Sequence, residues 1–167
     1  SSGVSVRMSI ASYETLVANA LRRALRLGEA EAVPRISDLG ALEASMLGKL
    51  ELEQATSGRT EAETLAEIVG RATKSVFDER VPAEGLAPVT KAFEQGWRVE
   101  VSAAMPSAEL VAGLDAIPGL REGAARLAGG DSPPRLAAAV EFVLEGLHLS
   151  NRLNKTVHEG ASVYARR

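Results

Sequence analysis

A chain of 167 residues, 46% hydrophobic and 25% charged, has the length of one domain, or of a domain with an appendage, and too much apolar content for disorder. A net charge of −3, with no basic stripe interleaved with aromatics, argues against a nucleic-acid partner. Zero cysteines exclude a disulfide scaffold or a thiolate metal site and fit a reducing cytoplasm, and no apolar run is long enough to suggest a membrane span.

Aromatics make up only 4%, so alanine and leucine do most of the apolar filling, which is the palette of a helical bundle. Charge is uneven along the chain. Arg7, Arg22, Arg23 and Arg26 face only Glu14 in residues 1–28, whereas residues 29–63 are strongly acidic. The first residue is Ser1, not Met, and the chain is expected to be a piece of something longer.

In chain order, Ser9 is the expected N-cap of a helix over 10–27, with Ile10, Tyr13, Val17, Leu21 and Ala24 on its apolar face. Arg7 then sits at the threshold of that helix, where unpaired amides favour an anion; the reading from spacing alone is a solvated surface arginine. Gly28 stops the helix and residues 28–36 connect to a second, capped by Ser37 or Asp38, with Leu39, Leu42, Met46 and Leu47 inward up to Gly48. Residues 49–53 and 97–101 alternate charged and apolar. They are expected to pair as a small two-stranded β element, Leu50 and Leu52 beside Trp97, Val99 and Val101, with Arg98 near Glu51 or Glu53. The competing reading is that Leu50 and Leu52 extend the second helix.

Thr60-Glu61-Ala62-Glu63 has the form of a capping box and opens a third helix with Leu65, Ile68, Val69, Ala72 and Val76 as its stripe, ended by Pro82. A fourth helix covers about 84–95, with Leu86, Val89 and Phe93 inward and Gly96 as its stop. Pro106-Ser107 begins a fifth through Leu110, Val111, Leu114 and Ile117; a sixth spans 119–128. Ser132-Pro133 starts a long last helix on Leu136, Val140, Val143 and Leu147, running to about Asn154, and residues 156–167 are expected as a frayed tail. The fold class is therefore mainly α, a bundle of about six to seven helices with the small β element. The expected division is 1–101, 102–155 as a C-terminal helical extension or part of the same domain, and a tail over 156–167.

Candidate chemistry is sparse. Gly48-Lys49 lacks the following Ser or Thr and the earlier glycine of a phosphate-binding loop, and Gly70 to Ser75 lacks the Gly-Lys step. Glu145-Gly146-Leu147-His148, with Glu141 a turn earlier, has the Glu-x-x-His spacing of di-iron bundles, but His158 is the only other histidine, so surface groups on a long helix are the better reading. No catalytic constellation and no metal site emerge.

Gly3-Val4-Ser5-Val6-Arg7-Met8-Ser9-Ile10-Ala11-Ser12-Tyr13-Glu14 resembles the second-sensor segment of magnesium-chelatase-like ATPases of the AAA+ class, where a Gly-x-Ser-x-Arg loop enters the first lid helix. Pro34 to Leu39, Gly48 to Leu52, and Val140 to Lys155 are similar to the lid and C-terminal regions of the same group. The resemblance implies a lid and C-terminal region preceded by an α/β nucleotide domain in a ring-forming parent that uses ATP and Mg2+ to remodel a partner or insert a metal. It implies that Arg7 is a sensor reaching the ATP phosphates, that neighbouring subunits contact this segment, and that a metal-binding adhesion-type protein is a partner. The fragment itself, without Walker motifs, is expected to bind no cofactor and hydrolyse nothing. The alternatives are a MoxR-type chaperone lid and a stand-alone helical interaction module. Fifteen arginines against four lysines suit a GC-rich bacterial gene.

Overall fold

The computed structural model describes residues 6–46 and 60–167, and within them helices dominate and strands are few. The helices are α1 (Val6–Leu27), α2 (Ala41–Met46), α3 (Glu61–Arg80), α4 (Ala87–Glu94), α5 (Ser107–Ala112), α6 (Leu120–Ala128) and α7 (Pro133–Leu149). Strands β1 (Val99–Ser102), β2 (Leu153–His158) and β3 (Ala161–Arg166) form one antiparallel sheet in the order β1-β3-β2. The fold is mainly α, as composition and periodicity indicate.

Local signals explain many of the boundaries. Thr60 Oγ1 accepts the Glu63 N–H at 3.2 Å while a Glu63 carboxylate oxygen accepts the Thr60 N–H at 2.8 Å, the reciprocal capping box that starts α3. Pro134 lies in the first turn of α7, where a missing N–H costs nothing. Gly96 stops α4 at φ 100, a backbone shape that glycine adopts without strain.

The largest core runs from Phe77 to Tyr164. α7 is its axis, burying Leu136, Val140, Val143, Leu144 and Leu147 against α4, α5, α6 and the sheet. A smaller cluster of Met8, Met46 and Leu65 joins the start of α1 to α2 and α3.

Several expectations are corrected. β1 is real, but its partner is β3, in register Val99↔Tyr164 to Ser102↔Ala161, and the sheet has three strands; residues 49–53 lie outside the described residues. Val99 and Val101 are buried, whereas Trp97 is exposed. Residues 156–167 are no frayed tail: they complete β2 and form β3, with Tyr164 fully buried. α7 ends at Leu149, five residues short of Asn154, because Asn151 takes φ 60 and reverses the chain. There the Asn151 N–H donates to the His148 carbonyl and the Arg152 N–H to the Leu147 carbonyl, a Schellman closure. Ser9 is not a cap but lies inside α1, which starts at Val6. Ser37 and Asp38 form a 3-10 turn, Ile36–Asp38, and α2 begins only at Ala41. On α3 the inward residues are Leu65, Val69 and Phe77, while Ile68, Ala72 and Val76 face out.

Candidate functional site

The largest departure from expectation is on α1. Of its expected apolar face only Ala24 is buried; Ile10, Tyr13, Val17 and Leu21 are 53%, 69%, 39% and 49% exposed, and Val6 and Leu25 are 76% and 75% exposed. Residues 6, 10, 13, 17 and 21 fall within one narrow column of the helical wheel, so the exposed side chains form a continuous stripe along about 23 Å of helix. Isolated exposed aliphatics are ordinary, but a contiguous stripe marks a surface built to be covered.

Arg7 is exposed in the first turn of α1, and it enters none of the ion pairs or side-chain hydrogen bonds among the described residues. By helical geometry it shares a column with Leu25, at the edge of the stripe. The charged group and the apolar strip are therefore parts of one surface.

Besides Met8, Ala20 and Ala24, α1 buries one charged side chain, Arg23. Arg23 grips Asp38 with a two-pronged contact, Nε to one carboxylate oxygen at 3.2 Å and Nη2 to the other at 2.9 Å, and reaches Glu29 at 3.1 Å and the Val33 carbonyl at 2.6 Å. Arg35 contacts Glu29 at 2.9 Å, donates to the Met105 carbonyl at 3.0 Å and to the Ser107 hydroxyl, and stands 3.7 Å from Glu141. The Ser107 hydroxyl in turn donates to Glu29 at 2.5 Å, and the Ser37 N–H donates to Glu141 at 2.8 Å. Arg23, Arg35, Asp38, Ser107 and Glu141 are each at most 3% exposed. This cluster fastens α1 and its connector to the starts of α5 and the middle of α7. Outside it, the Arg26 guanidinium donates to the Ala103 carbonyl, and Glu31 accepts from Ser132 and Arg135.

The electrostatics follow from burial. Burial alone would push the Glu29 carboxyl up, but Ser107 hydrogen bonds and the Arg35 and Arg23 charges outweigh it and hold it below the ordinary range. For Glu141 burial wins, and its affinity for a proton is raised despite Ser37 and Arg35. Burial, together with the Arg23 charge, pushes the Arg35 guanidinium down, an effect that Glu141, Glu29 and Asp38 partly offset. Among the described residues, the buried atoms Arg35 Nε, Ser37 Oγ and Glu141 Oε1 have no hydrogen-bond partner.

The Glu-x-x-His segment splits three ways rather than converging. Glu141 belongs to the buried cluster, Glu145 accepts from Lys155 at 2.7 Å and from the Tyr164 hydroxyl, and His148 Nδ1 lies 3.1 Å from the Leu153 carbonyl. Since a carbonyl only accepts, that ring nitrogen carries the hydrogen. Burial, followed by the Glu145 charge and hydrogen bond, pushes the Tyr164 hydroxyl up. These groups are buried or half-buried, not the surface groups expected. His158 is exposed at the end of β2, and no group of three or more metal-capable side chains exists among the described residues.

The residues that sequence reasoning missed are Arg23, Glu29, Arg35, Asp38 and Ser107. One signal was available: Arg23 falls on the side of α1 away from the apolar stripe, together with Asn19, whose amide also donates to Asp38 at 2.9 Å. Among the described residues no helix is long and apolar enough to cross a membrane. No protein-family model matches the chain, and no curated protein or solved structure matches it either.

Proposed function

We propose that this chain is the lid and C-terminal segment of a magnesium-chelatase-like AAA+ ATPase, cytoplasmic and working as part of a ring. The observation that carries the reading is the exposed apolar stripe of α1 with unpaired Arg7 at its edge. A lid helix needs a surface that meets the nucleotide domain and a cation that reaches past it to phosphate. Arginine suits the second task because its flat fork holds two phosphate oxygens at once. The resemblance of residues 3–14 to a second-sensor segment supplies the identity of the partner, the preceding nucleotide domain with its ATP and Mg2+, and Arg7 is then the sensor.

In this reading α1 is a lever. Arg7 lies about 24 Å along the helix from Arg23, which the buried cluster clamps to the rest of the molecule. A contact that Arg7 makes with ATP and loses after hydrolysis is a differential interaction, the kind that shifts the equilibrium between two lid positions. The bound partner and the metal-binding adhesion-type protein follow from the resemblance alone.

The test is Arg7→Ala in the complete parent chain. ATP turnover should fall at least about tenfold, since a charge meeting the transferring phosphoryl group is lost. Thermal unfolding of this segment should not change, because the side chain is exposed. Unchanged turnover would remove the sensor role and leave a stand-alone helical interaction module, a reading that the same apolar stripe favours.

A further inference from the structure

A second charged feature lies at the far end of the sheet from the β2–β3 turn. Arg152, Arg166 and Arg167 line one open cavity of about 270 Å³ together with Thr90, Phe93 and Glu94. Register explains the convergence: Leu153 pairs with Arg166, so the residue before β2 and the end of β3 meet, and the C-terminal half of α4 covers them. Arg98, just before β1, stands at this same end because Val99 pairs with Tyr164.

In a molecule of net charge −3, guanidiniums here outnumber carboxylates three to one. Arg152, Arg166 and Glu94 share the cavity, yet none of the three makes an ion pair or side-chain hydrogen bond among the described residues. Arg167 is held by the Asn151 carbonyl at 2.8 Å. The three guanidiniums and Glu94 are all exposed, so like charges gather around an open cavity at this end of the sheet, and Glu94 pairs with none of them.

We infer that this cavity binds the phosphate group of a small phosphorylated molecule. Arginine forks match tetrahedral phosphate oxygens, and a phosphate monoester carries close to two negative charges at neutral pH. The Thr90 hydroxyl at the cavity wall already donates to the Leu86 carbonyl at 3.1 Å, so the arginines carry the recognition. The cavity, about 270 Å³, has room for a phosphoryl group or a diphosphate. Neither Arg7 nor any other residue of α1 lines it, so the site is separate from the ATP contact proposed above.

The experiment titrates pyrophosphate into the whole chain at low salt and follows backbone amide resonances. Saturable shifts centred on residues 90–94, 152 and 166 are expected, weakening as salt screens the charges. Arg152→Gln and Arg166→Gln should each weaken binding by about tenfold or more, while Arg7→Gln leaves it unchanged. Glu94→Gln removes the one opposing carboxylate and should tighten binding severalfold. This gain cannot be mistaken for misfolding. Binding that is absent in the native chain, that survives both arginine substitutions, or that is lost in Arg7→Gln would overturn the assignment. A single-stranded oligonucleotide that binds at Arg152 and Arg166 and is not displaced by pyrophosphate would overturn it in favour of nucleic acid.

Discussion

Glu141 holds a carboxyl group with no exposed surface in the middle of α7, facing two arginines and two other carboxylates. One oxygen takes the Ser37 N–H, and the other, Oε1, takes no hydrogen bond and stands 3.7 Å from Arg35 Nη1. A proton on Glu141 makes the cluster neutral, with Arg23 and Arg35 balanced by Glu29 and Asp38. The pH consequences have opposite signs. Glu141 binds its proton more tightly folded than unfolded, so its contribution to stability is complete below the ordinary glutamate value of 4.5 and is lost as pH rises through the raised value. Glu29 is depressed on folding, so its contribution is present above 4.5 and is lost as pH falls through its lowered value. Glu141→Gln keeps an acceptor for Ser37 and removes the ionisation. The variant should lose less stability than the native chain as pH rises above 4.5, as read by urea midpoints. A native and a variant curve that stay parallel over that range would mean that Glu141 ionises without cost. Arg23→Ala should instead cost about 3–5 kcal/mol, because it leaves Asp38 charged and buried without its fork.

At the scale of elements, the crossing of α3 and α7 depends on a missing side chain. A Cβ built on Gly146 would stand 1.9 Å from a ring carbon of Phe77, and Phe77 also packs edge-on against Phe142 with ring centroids 5.8 Å apart. Gly146→Ala should therefore destabilise by about 1–3 kcal/mol although alanine is the better helix former, and part of the loss should return in a double variant with Phe77→Leu. Additive losses in that double-mutant cycle would show that the two positions do not share the space. The same contact shows why the face of α3 was misread. Leu65, Val69, Ala72 and Val76 make an acceptable stripe by periodicity, and only the hole at Gly146 on another helix selects Phe77. Helix starts carried by local chemistry were legible. The Thr60 box has its partner three residues away, and the α7 entry rests on the prolines of its first turn, although the Ser132 hydroxyl goes to Glu31 rather than capping the helix. The β2–β3 hairpin was not. Its two-residue turn, Glu159-Gly160, has φ 49 and 80, the primed geometry that Asn-Gly or Asp-Gly usually announces, and glutamate in the first position hid it.

Over the whole molecule, the sequence told which side of α1 is apolar but not which side is inside. Amphipathicity reports that a face wants cover, and the cover can belong to another domain or another chain. Here α1 is joined to the body by the small residues Ala20 and Ala24, by Met8 and the cluster around it at one end, and by the ions and hydrogen bonds of Arg23. The column from Val6 to Leu21 is left for something else. Ile10→Glu and Val17→Glu discriminate between a docking face and incidental exposure. In this chain both should shift the urea midpoint little, by about 0.5–1 kcal/mol at most, because both side chains are already partly exposed, Val17 the less so. On the proposal that this chain is an ATPase lid, in the complete parent chain they should loosen the contact between the nucleotide domain and this segment, seen as faster limited proteolysis between the two, and reduce ATP turnover with Arg7 still in place. Arg7→Ala should reduce turnover without altering that proteolysis. If the two glutamate variants unfold this chain, α1 packs against its own body. If they leave proteolysis and turnover untouched in the parent, the stripe meets some other surface, and the nucleotide domain docks elsewhere.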